Sequence, residues 1–412
     1  MLSALDAVKM QLRAFLAEVD KVKGSEFPYE YSRQALEQVG ELFRGYLDLV
    51  GTLVPDSPGP LVQLVCGATY PNLYKYLPIL GFILRSTNVR NAFEVHGPIL
   101  RMAQQIIGPS AKLILSSEWQ FSPFTYKRLS ELPDFVLIGL PVTESQNPFL
   151  VPLAGHELGH TVWSSQTHDK MYQAPIEQAI VKNIRDRWDE YSKIFPGIIE
   201  SQLETDMFAR QTWAFAFSLA IKQAQESFCD FLGLRVFGES YLHAHAYIDS
   251  PRQSGTRPIY YPNSLDRARQ LLRAGTKFGL ANPAEYLSQF VNIDNPFQND
   301  KQSQFLLAVA DAASGSIVDA LIQRTDEIIT QAGVETRETE AVKKCIGQYR
   351  LMVPAQRAGN LPNVLNAAWE ALLEPNFFGD RVPSDKIVSF LAEIVLKTCE
   401  VLEIEQILRE KA

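Results

Sequence analysis

The chain has few of the residues that mark several common protein classes. Only four cysteines occur in 412 residues, and no two of them form a C-x-x-C pair. A disulfide framework is therefore not predicted. We expect the cysteines to be free, buried thiols in a protein of the reducing cytoplasm; they are Cys66, Cys229, Cys345 and Cys399.

Long apolar runs and an excess of positive charge are also missing. The longest run with the apolar composition of a membrane-spanning helix is Tyr76–Leu84. It is about half of the roughly 20 residues that such a helix needs. The first residues alternate charged and apolar side chains at helical spacing, so we expect them to belong to the mature fold and not to a signal peptide. The formal net charge is -8, which argues against a nucleic-acid partner. We therefore expect neither a membrane nor a nucleic acid as a partner.

What is present is enough apolar material for a large core. The chain is 46% hydrophobic and 21% charged, as in an ordinary folded protein. The pattern predicts a mainly α fold with a small β-sheet (α+β). We divide it into an N-terminal helical segment (1–55), a central region that holds the candidate site (56–280) and a C-terminal helical domain (281–412).

Five segments carry most of this interpretation. A one-faced apolar stripe predicts a first helix over Leu2–Val22, and a second follows over Ser32–Leu53. Short runs of branched apolar residues predict strands over residues 111–118 and 134–140. The second strand has two open roles: an edge that binds an extended substrate as an added strand, or the interior of the sheet. Residues 206–237 are apolar almost all round and predict a deeply buried helix, followed by a loop to Pro262.

The chemistry centres on Pro152–Trp163, which contains His156-Glu157-Leu-Gly-His160. Residues four apart share one face of a helix, so His156 and His160 could grip one metal ion. Glu157 could then hold and deprotonate a water on that ion. The apolar flanks favour burial over the alternative, a chance HExxH on a solvated helix. We expect one zinc ion per chain.

A catalytic zinc needs a third protein ligand. The HExxHxxGxxH pattern is excluded, because Trp163 and Gln166 stand where its glycine and third histidine should be. His168 lies in a polar turn, and we expect it at the surface.

The better candidate for the third ligand is the predicted buried helix, where Glu226 and Asp230 lie one turn apart. Glu226 would bind the ion, and Asp230 would accept the other ring N–H of a bound histidine. The alternative is that these carboxylates form ion pairs with Arg210, Lys222 or Arg235.

The two motifs together resemble the gluzincin metallopeptidases, in which a Glu from a later helix completes an HExxH site. Glu226–Asp230 matches their E-x-x-x-D, although the interval from His160 to Glu226 is longer here. The likeness covers about residues 130–275, and it implies a zincin-like catalytic core. In that core an active-site helix and a second buried ligand helix are flanked by helical lobes.

A second likeness is to the H-P-x-x-x-x-R segment of membrane HExxH peptidases that process prenylated proteins. Tyr261 replaces its histidine, and Arg267 matches its arginine. A tyrosine hydroxyl can also donate to an oxyanion. Arg267 could bind substrate, steady the segment, or be an ordinary arginine at a helix start. His243 and His245 are alternative oxyanion donors, or could bind a second metal from one side of an extended segment; a solvated loop is the default for them.

These observations predict a soluble, cytoplasmic zinc metallopeptidase. Glu157 and Tyr261 would be catalytic, and the ion would be held by His156, His160 and Glu226. The partners would be a peptide or protein substrate and an unknown regulatory protein. Two rival functions stay open: a helical scaffold with a structural or vestigial zinc site, and a zinc hydrolase that acts on another amide or an ester.

Overall fold

The computed structural model describes residues 3–54, 57–87, 91–120, 122–126, 131–252, 257–283, 285–294, 296–297 and 299–411. Within these ranges the chain is mainly helical with a small sheet, which confirms the predicted fold class. The α-helices are α1 (Ala4–Lys23), α2 (Glu30–Gly51), α3 (Gly59–Arg85), α4 (Asn91–Ile107), α5 (Ala154–Ser165), α6 (His168–Asp186), α7 (Trp188–Ile194), α8 (Met207–Phe237), α9 (Glu239–Asp249), α10 (Ser264–Lys277), α11 (Lys301–Ser316), α12 (Val318–Gln331), α13 (Thr339–Arg350), α14 (Leu361–Leu373) and α15 (Ile387–Lys411). The strands are β1 (Lys112–Glu118), β2 (Phe124–Thr125) and β3 (Phe135–Pro141).

The chain divides into two compact units. The first comprises residues 1–104 and 109–146, and the second comprises 105–108 and 147–412. The predicted boundary near residue 55 falls inside the first unit, and the one near 280 falls inside the second. Both candidate motifs belong to the second unit.

The first unit packs helices and the sheet around one apolar core. The predicted stripe of α1 is buried in it, and Phe15 stacks on Phe43 with ring centroids 4.1 Å apart. Ser3 caps α1 by accepting the Asp6 backbone N–H, which satisfies a donor that the helix itself cannot. The segment 59–85, for which no element was predicted from the sequence, is the helix α3 with Pro71 and Pro78 inside it.

The sheet decides between the two roles of the second predicted strand. β3 pairs in parallel with β1, from Lys112 opposite Phe135 to Glu118 opposite Pro141. On its other side β3 pairs antiparallel with the short β2. It is therefore the central strand in the order β1-β3-β2, and its seven residues are buried. The edge-strand interpretation is wrong, because both of its sides are already hydrogen-bonded to neighbours.

The second unit is organised around α8, as the apolar pattern of residues 206–237 predicted. Asp206 caps it by accepting the Ala209 backbone N–H. From Gln223 to Leu234 every residue is buried, whereas Met207 and Phe208 near its start are 65% and 68% exposed. Complete burial thus holds only for the second half of α8. α8 packs against α5, α11 and α12.

No single helix in the described ranges is long and apolar enough to cross a membrane. One pair of neighbouring helices in the described part of the chain, α11 and α12, meets that test when taken together, and the chain bends by 45° between them.

Candidate metal centre

The HExxH motif lies on α5, as its spacing predicts. A turn of 3-10 helix, Pro148–Leu153, runs directly into α5, and Asn147 caps that turn by accepting the Phe149 backbone N–H. The rings of His156 and His160 meet edge to face, with centroids 4.9 Å apart. His156 and Glu157 are buried, while the His160 side chain keeps 20% of its surface exposed. The motif therefore faces the interior and opens to solvent beside His160.

Glycines let α5 and α8 cross almost backbone to backbone. A Cβ on Gly155 would lie 2.8 Å from Gly233 Cα, and a Cβ on Gly159 would lie 2.7 Å from Cys229 Cα. Real Cβ atoms do not approach other atoms so closely, so any larger residue would push the helices apart. This contact brings the motif against the Glu226–Asp230 segment.

The side chain of Glu226 points at both histidines. Its Oε2 lies 3.2 Å from His156 Nε2 and 3.8 Å from His160 Nε2. This oxygen is buried and no hydrogen bond satisfies it. A buried carboxylate oxygen without a hydrogen bond is costly, and a metal ion would compensate it. Ligand atoms around a tetrahedral zinc with bonds of 2.0–2.1 Å lie about 3.3 Å apart; the distance from Glu226 Oε2 to His156 Nε2 matches this value, and the distance to His160 Nε2 exceeds it by about 0.5 Å.

A fourth possible ligand, Cys229, was missed as such by the sequence reasoning. Its Sγ and one nitrogen each of His156 and His160 all lie within 4.8 Å of one another. All four cysteines are free and buried, as predicted. The available signal was the position of Cys229 three residues after Glu226, on the same face of α8.

Asp230 is hydrogen-bonded to the ring of His156. His156 Nδ1 donates to Asp230 Oδ1 over 2.8 Å; since an ionised carboxylate only accepts, this bond leaves Nε2 directed at the ligand cluster. The Tyr241 hydroxyl donates to the same oxygen over 2.7 Å. Tyr241 was not predicted, and it fits because Gly233 has no side chain at that contact.

Arg267 completes this network. Its Nε donates to Asp230 Oδ2 over 2.6 Å, and its Nη2 to Oδ1 over 2.8 Å. Its Nη1 donates to Asp249 Oδ2 over 3.1 Å. The structure therefore places Arg267 behind Asp230, where it orients the carboxylate.

The three alternative basic partners of the carboxylates bond elsewhere. Arg210 pairs with Glu177, Arg235 pairs with Asp326, and Lys222 donates to the Gln225 side chain.

Burial and neighbouring charge separate the pKa values of the motif. Burial opposes a charge on His156, but its hydrogen bond to Asp230 and the nearby Glu226 carboxylate outweigh this and raise its pKa to about 10. Burial and the charge of His156 lower the pKa of His160 to about 4. Burial raises the pKa of Glu157 to about 7. Without a metal, a proton on His156 thus balances the carboxylates around it.

Tyr261 lies near the cluster as well. Burial and the negative charge of Glu226 raise the pKa of its hydroxyl far above the ordinary value, so it stays a proton donor. The Arg267 guanidinium lies 4.8 Å from the centre of its ring. Arg257 anchors the segment by donating to the Tyr261 carbonyl and to both oxygens of Asp311.

The structure corrects the predictions for His243 and His245. They lie on the helix α9 and not on an extended segment or loop, so a spacing of two residues turns them to different sides. His243 stacks on Trp369 with ring centroids 5.3 Å apart. His245 Nδ1 is 2.8 Å from the Tyr286 hydroxyl. A second metal between the two histidines is therefore wrong.

His168 is also placed differently from its prediction. It is the first residue of α6 and is completely buried, with its ring stacked on Trp163 at 5.6 Å. The polar residues around it in the sequence gave no sign of this, because its burial depends on aromatic rings from α5 and α8.

Comparisons with known proteins return no counterpart: no protein family, curated protein or solved structure matches this chain.

Proposed function

We propose that this protein is a zinc-dependent metallopeptidase of the gluzincin type, with one zinc ion held by His156, His160 and Glu226. The observation that carries the proposal is the buried, unsatisfied Glu226 Oε2, which faces the Nε2 atoms of both motif histidines. The four free, buried cysteines favour a reducing compartment such as the cytoplasm.

Glu157 is the proposed general base. When bound, zinc lowers the pKa of a water molecule towards ~7 and polarises a carbonyl group. Burial raises the pKa of the Glu157 carboxyl to about 7, so near neutral pH it can both take a proton and return it. In this proposal Glu157 takes the proton of the attacking water and passes it to the leaving amine.

Tyr261 is the proposed donor to the developing oxyanion. Its hydroxyl remains protonated at neutral pH. Its carbonyl is fixed by Arg257 over 3.0 Å, and its ring packs on Arg267. Removing a donor of this kind from other enzymes costs roughly 3–4 kcal/mol of transition-state stabilisation.

One rival function has an observation in its favour. A structural zinc site is closed by four protein ligands, and Cys229 lies near enough to His156 and His160 to be the fourth. In that case the protein would be a helical binding or scaffold protein. Glu157 argues against it, because a structural site has no use for a buried carboxylate beside its ligands.

The decisive experiment compares wild-type protein with Glu157→Gln, and with Glu200→Gln as a control at an exposed site. We expect all three proteins to bind stoichiometric zinc, and only Glu157→Gln to lose cleavage of an unstructured protein substrate. Wild-type protein that binds zinc but cleaves no peptide library would favour the scaffold. Cleavage of esters or other amides, but of no peptide, would favour a non-peptide hydrolase.

A further inference from the structure

Cys229 is held at the point where α5 and α8 cross. The Cα of Cys229 lies close to α5 because Gly159 has no side chain; a Cβ on Gly159 would lie 2.7 Å from Cys229 Cα. His156 and His160 lie three residues before and one residue after Gly159, on either side of this contact. The sulfur is thereby kept within 4.8 Å of a nitrogen of each histidine.

The same face of α8 thus offers two negatively charged ligand groups. Glu226 and Cys229 are three residues apart, close to one helical turn. Thiolate sulfur is a strong ligand for zinc. In a site as buried as this one, a thiolate and the Glu226 carboxylate together would carry the two negative charges that balance a divalent ion.

We propose that in the resting protein Cys229 is a fourth protein ligand of the ion at His156, His160 and Glu226, so that the centre is closed until its sulfur leaves. The thiol proton is released to solvent when the sulfur binds the ion and is taken up again when it leaves. The vacated position then admits water and substrate. This inference rests on the proposed function, because it describes how that same site is restrained.

The burial of Cys229 and the partial exposure of His160 determine how such a restraint would be released. Cys229 is fully buried, so the sulfur leaves the ion only when the contact between α5 and α8 loosens locally. His160 has the one partly exposed ring of the pair, which puts the entry for substrate on its side. Substrate binding there could supply the free energy that opens the centre.

The test uses the full chain loaded with Co²⁺ and, separately, with Zn²⁺. Wild type is compared with Cys229→Ser, Cys229→Ala and a control, Cys345→Ala, which removes a buried thiol from α13. We expect the near-ultraviolet thiolate-to-cobalt absorption in wild type and Cys345→Ala, and its loss in both Cys229 variants. Zinc affinity in competition with a chelator should fall by at least about tenfold in the Cys229 variants, since even partners outside the ligand sphere contribute that much.

Cleavage of a peptide library provides the second measurement. If the open form is about a tenth of the resting population, removing the sulfur raises the cleavage rate about tenfold. The two Cys229 substitutions differ in size and polarity. If one of the two variants fails to fold, the other can still be measured.

An unchanged cobalt spectrum or an unchanged zinc affinity in both Cys229 variants would overturn the inference. If the spectrum and the affinity change as expected but no variant cleaves any peptide, the thiol ligand stands and the peptidase proposal fails.

Discussion

Arg267 donates a hydrogen bond to each oxygen of the Asp230 carboxylate, from Nε to Oδ2 over 2.6 Å and from Nη2 to Oδ1 over 2.8 Å. The Asp230 side chain is 1% exposed and the Arg267 side chain 12%. Burial opposes the charge on Asp230, but Arg267 outweighs it and holds the pKa of this carboxyl well below its usual range. Since Asp230 in turn orients His156, the ion pair links α10 to the candidate metal centre.

We therefore expect Arg267→Gln to be strongly destabilising, because it leaves Asp230 buried without its counter-ion. Breaking a buried pair in this way costs about 3–5 kcal/mol of unfolding free energy. The matched control is Arg273→Gln on the same helix, whose pair with Asp319 is exposed on both sides, and which should change the stability by less than about 1 kcal/mol. Denaturant unfolding of both variants measures the difference. Equal effects would mean that the buried pair has no special role.

Gly159→Ala should separate α5 from α8. The new Cβ would come 2.7 Å from Cys229 Cα, and forced contacts of this kind typically cost about 1–3 kcal/mol. Zinc affinity should fall as well, since the histidines and Glu226 lie on opposite sides of the contact. Gly347→Ala on α13 has nothing within 4 Å of its Cβ and should stabilise the protein by about 0.5–1 kcal/mol. A Gly159→Ala protein as stable as wild type would contradict the backbone contact.

Tyr261→Phe removes the proposed oxyanion donor but keeps the ring that packs on Arg267. We expect kcat to fall about 10²- to 10³-fold, with KM and zinc content unchanged. The control is Tyr260→Phe at the neighbouring residue, which is 53% exposed and should have no effect. A Tyr261→Phe variant with full activity would show that another group stabilises the oxyanion.

Glu226→Gln tests the third ligand directly. The amide keeps the shape but loses the charge that faces the two histidines, so we expect most of the zinc to be lost, together with some thermal stability. Glu204→Gln, at an exposed ion pair with Arg185, is the control. Metal content by mass spectrometry and the Tm with and without zinc measure both effects. Full zinc affinity in Glu226→Gln would rule out this ligand.

The metal-free protein should lose stability as pH rises from about 7 to 10. The folded-state pKa of His156 is raised from 6.5 to about 10, so its contribution is complete below pH 6.5 and disappears as pH passes through 10. The pKa of Glu157, raised from 4.5 to about 7, removes stability between pH 4.5 and 7. The pKa of His160, lowered from 6.5 to about 4, opposes it by adding stability between pH 4 and 6.5. The Tm in the presence of a chelator should fall across this range, and fall less in His156→Gln. A Tm that rises between pH 7 and 9 would contradict the assigned charge of His156.

Several elements could be predicted from the sequence because their signals are local. The helix α8 begins within one residue of its predicted start and ends at the predicted residue, and β1 and β3 begin and end within one residue of theirs. The helix α3 was missed because Pro71 and Pro78 interrupt its pattern. The helix α9 was missed because its histidines and the prolines that follow were taken for a loop. In both, local propensity is weak and packing decides the structure.

The sequence alone determined that His156 and His160 share one face of a helix, and that Glu226 and Asp230 share one face of another, since residues four apart lie one above the other. Only the tertiary structure decided which atoms meet. The bond from His156 to Asp230 joins residues 74 apart, and that from Arg267 to Asp230 joins residues 37 apart. Helical periodicity carries no information over such distances. The glycine contact between α5 and α8 brought Cys229 to the centre, and the packing of α10 brought Arg267 behind Asp230.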